Sequence, residues 1–480
     1  MPESILNKIS LTGAIPLFFS FTVSAAGLIA PDNDLRNDLA WLSDRGVISV
    51  SLSTWPLSQE EIERVVSQAK QSTRSDQIVL DRVQRRLKEI KSDIRISAYT
   101  STDRPGLPRD FANTPSSGHG LGLAIGDSGE FWDVNVQGRV EGDQYIDDES
   151  RWNLDGSYGA LKIFNQWVSF GSIPQWWGPG YDGSLIRSDA ARPVIGFMMQ
   201  RADQSPFETP WLSWIGPWQY QLSAGQLEQY SSVPDTKLIG GRFTMMPTSF
   251  LELGASRMMM WGGDGRPQSW HSFWDAATGS DNTGDARNDP GNQLGGFDFR
   301  LKLQPLLNLP LSVYGQIVGE DEAGMLPSKN TYLVGLEGHH AWDMHQINWH
   351  IEGADTRSEF DKENIIYTHF IYKGGYYQQG YPLGHAMGGD GQALSGKVEL
   401  VLEDGQRWST RLMYAKVNPQ SQSINHAFPY ADTLKGIELG WGYDFESRVR
   451  FNTYLWYTDS KHGTFDDVGA SLGLEIPISL

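Results

Sequence analysis

From Ile94 to the last residue the chain alternates apolar and polar side chains with a period of two, and no other feature limits its fold so tightly. Ile94, Ile96 and Ala98 alternate with Arg95, Ser97 and Tyr99; Val134, Val136, Gly138 and Val140 alternate with Asp133, Asn135, Gln137, Arg139 and Glu141. Phe297, Phe299 and Leu301 are interleaved with Asp298, Arg300 and Lys302, and Phe451, Thr453, Leu455 and Tyr457 with Arg448, Arg450, Asn452, Tyr454 and Trp456. A two-residue period is the mark of a strand with two different faces. A soluble sandwich alternates too, but its polar face meets bulk water and its two sheets share one dry core. An export signal, strands reaching the roughly 10 residues of a tilted membrane strand, and aromatics near strand ends favour a transmembrane β-barrel. In such a barrel the apolar face meets lipid and the polar face lines the inside. This explains how a membrane protein can have a mean hydropathy of only −0.40. The last residues continue the pattern, with Leu472, Leu474, Ile476, Ile478 and Leu480 on one face. A membrane hairpin takes roughly 40 to 48 residues, so the length after the helices gives about 16 to 18 antiparallel strands, and 18 is the number expected.

Two segments precede the barrel. Residues 1–26 read as a secretory signal peptide: Lys8, an apolar stretch from Ile9 to Val23, and the small residues Ser24-Ala25-Ala26. Residues 27–92 read as a small α-helical bundle, expected on the periplasmic side. Asp34 is placed to cap a helix with Leu35, Leu39 and Leu42 on one face, and Gly46 stands where a left-handed terminator belongs. Ser58 and Glu61 have capping-box spacing ahead of Ile62, Val65 and Val66, and Ile78, Val83, Leu87 and Ile90 mark a third helix. Residues 93–480 are then the outer-membrane barrel with long extracellular loops.

Composition excludes several functions. With no cysteine in 480 residues there is no disulfide framework, thiol nucleophile or Cys-ligated metal. The formal charge of −19 disfavours nucleic acid as a partner. His339 and His340 are adjacent, so in a strand they face opposite ways; Asp281-Asn282-Thr283-Gly284-Asp285 lacks EF-hand spacing. Neither a metal nor another cofactor is expected. Glu320 and Glu322 would sit about 7 Å apart in extended chain, loosely within the range of an inverting glycosidase pair. Acidic pairs are common in exposed loops, however, and His271-Ser272 has no nucleophile elbow. No enzymatic activity is expected.

Four connections are too long and too aromatic for simple turns: Pro174 to Asp189, Trp261 to Gly295, Gly319 to Lys329 and Tyr372 to Gln392. Aromatic rings beside carboxylates and amides suit sugars, whose C–H faces stack while hydroxyls find polar partners. The candidate carbohydrate-binding residues are Trp176, Trp177, Tyr181, Arg187, Trp270, Trp274, Glu320, Asp321, Tyr376, Tyr377 and Tyr381. The same aromatics could instead plug a barrel or form its interfacial belt. Inward charges, Arg139, Glu141, Arg300, Lys302, Arg448 and Arg450, suggest the alternative of an open porin or polysaccharide export channel, or else pair into a plug.

Several long stretches carry a resemblance: DNDLRNDLAWLSDRGVI (32–48), STWPLSQEEI (53–62), PQWWGPGYDGSLIR (174–187), GYYQQGYPLG (375–384) and ADTLKG (431–436). Together they resemble the Wzi outer-membrane lectin family of Gram-negative bacteria through essentially the whole mature chain. The resemblance implies an 18-stranded outer-membrane barrel, monomeric and embedded in outer-membrane lipid, that binds group 1 capsular polysaccharide without catalysis and organises it at the cell surface. Capsules of this kind are commonly acidic, so a −19 protein would hold one through local stacking, hydrogen bonds, divalent bridging or loop cations such as Arg187, Arg266 and Lys373. The Asp281 to Asp289 region departs most from the family pattern.

Overall fold

The computed structural model describes residues 27–70, 73–112, 117–145, 150–278, 291–323, 326–445, 448–463 and 467–478. The signal segment, the Asp281 to Asp289 run and Leu480 lie outside the described residues, as do the side chains of Asp321 and Glu322. From Ile94 the alternating sequence becomes one closed antiparallel barrel, in which the first strand, Ile94–Ser101, pairs with the last, Asp467–Ile478. Trp152–Asn153 and Tyr158–Ile163 pair in turn with Trp132–Gln144, so they are one interrupted strand and the barrel has the expected eighteen. The described chain has no helix long and apolar enough to cross a membrane, and the strands make the crossing.

Side-chain direction follows the period-two pattern. Leu121, Leu123 and Ile125 of Ser117–Ser128 are 66%, 47% and 53% exposed on the outside, although they are among the most apolar residues of the strand. Val136, Phe297, Leu455 and Tyr457 are exposed in the same way, whereas Asp298, Arg300 and Lys302 are buried inside. An outside coated with aliphatic groups and an inside packed with charge is an inverted protein, which is stable only where the outer medium is lipid. Arg448 departs from the expected inward row. It lies in the turn before Arg450, with φ 63°, because the strand begins only at Arg450.

The two ends differ. Tight connections join Ser128 to Trp132, Ile163 to Gln166, Thr248 to Leu251 and Trp342 to His345 at one end, where residues 202–217 make one longer connection; residues 102–116, 172–195, 262–290 and 356–391 connect strands at the other. Residues 319–323 and 326–329 belong to strands rather than to a loop: Leu311–Ala323 and Leu326–Trp342 remain paired there, with Gly319 opposite Asn330 and Asp321 opposite Ser328. A helix, Trp270–Thr278, interrupts the 262–290 connection.

The N-terminal helices form α1 (Asn33–Asp44), α2 (Gln59–Ser67) and α3 (Arg74–Ile90). The cap of α1 is Asp32 rather than Asp34, because the Asp32 carboxylate accepts the Leu35 amide at 2.8 Å. Gly46 adopts φ +73°, the left-handed terminator foreseen in the sequence. Ser58 caps α2 without a side-chain bond. Its expected partner Glu61 instead accepts the Gln204 amide at 2.8 Å and Arg64 Nε at 2.9 Å. These helices are lodged in the tight-turn mouth of the barrel rather than standing beneath it. Every α1 residue from Leu35 to Asp44 is buried, Arg300 reaches Asp44 at 2.5 Å, Asn37 reaches Glu399 at 3.1 Å, and Arg86 reaches Glu475 at 3.2 Å.

Candidate functional site

The 172–195 connection descends into the lumen and meets the helices. Trp176–Trp177 pairs as a two-residue antiparallel ladder with Thr54–Trp55, just ahead of α2. The Arg36 guanidinium of α1 donates to the Gly180 carbonyl at 2.8 Å and the Pro179 carbonyl at 2.6 Å, and its carbon lies 3.9 Å from the centre of the Tyr181 ring. The wall holds the other side. Tyr181 N and Asp182 N donate to Glu352 at 2.7 and 3.1 Å, and Leu185 N donates to Gln316 at 2.7 Å. Asp182 pairs with Arg411 at 2.6 Å and His350 at 2.8 Å. Burial works to raise the Asp182 carboxyl, but the Arg411 guanidinium and the hydrogen bonds from His350 and Ser395 outweigh it and hold it well below the usual range.

The 356–391 connection closes over this loop from the other end. Tyr367 Oη donates to the Leu185 carbonyl at 2.5 Å, Tyr376 Oη to the Ile186 carbonyl at 2.8 Å, and Ser188 N to the Leu383 carbonyl at 2.8 Å. Tyr377 Oη accepts the Gly389 amide at 3.1 Å, and Tyr381 Oη donates to the Tyr145 carbonyl at 2.9 Å. His385 is buried and pushed down to about 4, so it is neutral near pH 7. Burial pushes Asp189 up to about 7, although the Ala112 amide donates to it at 3.0 Å.

This arrangement separates the sequence candidates into two sets. Trp176, Trp177, Tyr181, Arg187, Tyr376, Tyr377 and Tyr381 are all at least nine-tenths buried, and the structure brings them together as the core of a plug. Sugar contact at these seven would require the plug to open. Trp270 and Trp274 are 79% and 60% exposed on the Trp270–Thr278 helix, with Phe273 between them packed edge-on against Trp261. Glu320 lies in the projecting strand pair, with Asp321 beside it in the ladder. Sequence reasoning missed Phe360, Phe370 and Tyr430, which are exposed on the same end, with Phe360 stacked on Tyr332 at 4.4 Å. Phe360 and Tyr430 lie outside any Trp- or Tyr-dense stretch, and Phe370 stands two residues before the Tyr372 to Gln392 stretch.

The expected inward charges pair with one another and with the helices. Arg300 binds Asp44 and Glu337, each at 2.5 Å, and Lys302 donates to Ser43 at 2.6 Å. Arg242, wholly buried, binds Asp298 at 2.6 Å. Asp44, Glu337 and His339 offer ligand atoms within 4.8 Å of one another, but the Arg300 guanidinium already lies between the two carboxylates. A metal ion would have to displace a buried cation that is already hydrogen-bonded to both.

Lipid-coated wall, charged interior and a plug knitted from N-terminal helices and long loops define an occluded outer-membrane β-barrel. A family model described as capsule assembly protein Wzi matches residues 88–471, and the chain belongs to that family. It is similar to a solved structure, the Escherichia coli outer-membrane protein Wzi, described as a carbohydrate-binding β-barrel involved in group 1 capsule assembly. Identity is 60% and the TM-score 0.91, over 95% of this chain and 100% of the other. It is also 62% identical over 456 residues to a 55.8 kDa protein of the cps region of Klebsiella pneumoniae, covering 95% of this chain and 90% of that one.

Proposed function

We propose that this barrel binds capsular polysaccharide of the group 1 type on its long-loop face and holds it at the cell surface without cleaving it. The carrying observation is the plug: the lumen is filled by α1, residues 172–195 and residues 356–391, so the barrel serves as a rigid pedestal for its outer loops. That face carries Trp270, Trp274, Phe360, Phe370 and Tyr430 as exposed aromatics, and many weak contacts along a repeating polymer add up through multivalency. The long connections face outward and the helical mouth faces the periplasm, as in bacterial barrels with short inner turns and long outer loops. The protein acts as a monomer, with outer-membrane lipid around its wall.

A pull-down of purified capsule by the detergent-solubilised protein tests this reading. Trp270→Ala/Trp274→Ala and Phe360→Ala are expected to reduce retention severalfold, while Trp176→Ala/Trp177→Ala acts only through plug stability. Unchanged retention in the exposed-aromatic variants would refute the face chosen. A large open conductance in planar bilayers would favour the porin alternative, and shortening of the polymer that stops with Glu320→Gln would reveal a glycosidase.

A further inference from the structure

The plug does not fill the barrel evenly. Beside the seam where Ile94–Ser101 meets Asp467–Ile478 lies a cavity of 510 Å³, lined by Arg95, Ser97, Tyr99 and Ser101 along the inward row of the first strand. Its outer end is formed by loop residues Arg104, Tyr145 and Phe428, and its inner end by Arg86, Arg450 and Glu475. A second cavity of 210 Å³ adjoins it, and Arg95, Arg109 and Arg139 line both.

Most lining carboxylates are already paired: Asp110 with Lys397 at 3.0 Å, Asp133 with Lys91 at 2.8 Å, Asp32 with Arg86 at 2.5 Å, and Glu438 with Arg411 at 2.7 Å. Among the described residues, no carboxylate lies within ion-pair distance of Arg95 or Arg109. Arg95 reaches only the Asn135 amide oxygen, at 3.3 Å; Arg109 reaches the Ala190 carbonyl at 3.4 Å and lies 5.1 Å from the centre of the Tyr381 ring. Arg139 stands 3.8 Å from Glu141, which is bound more closely by Arg192, and its Nε is buried without a partner. Three guanidiniums therefore converge on one polar space in a protein whose net charge is −19. The guanidinium fork matches a carboxylate or phosphate.

We propose that the seam cavity is a binding site for a carboxylate-bearing sugar unit, with Arg95, Arg109 and Arg139 receiving the acid group. The remaining lining suits the sugar: Tyr99 and Tyr454 offer ring faces, and Ser97, Asn452 and Gln137 offer hydroxyl and amide groups. Arg104, whose carbon lies 5.7 Å from the Tyr381 ring, marks the entry from the long-loop face. The proposal rests on the polysaccharide-binding reading and adds to it a preference for acidic polymer and a second contact point inside the rim.

Calorimetric titration of the full chain in detergent with glucuronate, glucose and inorganic phosphate tests it. Saturable glucuronate binding, absent for glucose and weakened at least tenfold by Arg109→Gln or Arg139→Gln but not by Lys70→Gln, an exposed cation just past the end of α2, is the expected result. Heat-modifiable gel migration establishes that each variant barrel is folded, and Arg109→Lys is expected to recover part of the affinity. Phosphate binding as tightly as glucuronate would overturn the sugar assignment. No glucuronate binding, with capsule retained equally by wild type and arginine variants, would overturn the site and leave the outer-face reading intact. Loss of capsule retention alone, with glucuronate still bound, would remove that reading instead.

Discussion

The wall from Lys237 through Val417 and the wall at the seam are made of the same alternating strands, yet they meet the plug in opposite ways. On the first side many inward polar groups are matched by the plug or by neighbouring strands: Arg242 to Asp298 and Thr54, Arg300 to Asp44, Glu352 to two backbone amides, and Gln316 to Leu185. On the seam side the inward row of the first strand faces open space, where Arg95 reaches an amide oxygen of Asn135 and Arg109 a backbone carbonyl of Ala190. The difference shows that a period-two pattern sets which face a residue occupies but not whether anything waits for it there. Structural rigidity and ligand capacity are divided between the two sides of one barrel.

The comparison can be broken most directly at Arg300. Arg300→Ala leaves Asp44 and Glu337 buried without their cation, so unfolding in detergent is expected to show a loss of about 3–5 kcal/mol. A loss below about 1 kcal/mol would mean that the well-matched side is no tighter than the seam. Trp176→Ala removes a ring packed edge-on against Phe111 at 5.0 Å and is expected to cost about 3–4 kcal/mol, read by the same unfolding curve.

Acidity provides a gentler probe. Asp189, pushed up to about 7 by burial, binds its proton more tightly in the folded plug than in the unfolded chain. Between its ordinary value near 3.8 and about 7 the folded state therefore carries the extra proton, and stability falls as pH rises through that window. Asp189→Asn should flatten this fall, measured as amide exchange in residues 172–195 between pH 5 and 8, values chosen around that window. An unchanged slope would show that another group governs it. The smallest effect belongs to the seam: Ser97→Ala faces the cavity and should alter unfolding by no more than about 0.5 kcal/mol, as expected where the plug does not reach.

Much of the fold was legible because lipid and lumen impose a strict alternation. Arg95, Ser97 and Tyr99 are read as inward from their spacing alone, and length narrows the strand count to about 16 to 18. The helices were legible as helices but not as a stopper, because Arg36, Asp44 and Arg86 find their partners at Gly180, Arg300 and Glu475, across more than 140 intervening residues. The candidate site divided for a related reason. A Trp that seals a plug and a Trp that stacks on a sugar occupy the same kind of Gly- and Tyr-rich loop. Trp176 and Trp270 differ only in whether a partner ladder such as Thr54–Trp55 waits below. Phe360 gave no signal because an exposed aromatic acquires meaning only through its neighbours, here Tyr332.

The ladder between Thr54–Trp55 and Trp176–Trp177 also constrains the order of assembly. It ties the segment before the first strand to a loop between two later strands, inside a ring that closes only when the last strand reaches the first. A folded helical bundle cannot be threaded through a finished ring of eighteen strands from the loop face, where the 356–391 connection lies. The helices and the descending loop must therefore meet while the seam is still open or enter through the tight-turn mouth, so the two ends of the chain act as the latch on a packed container.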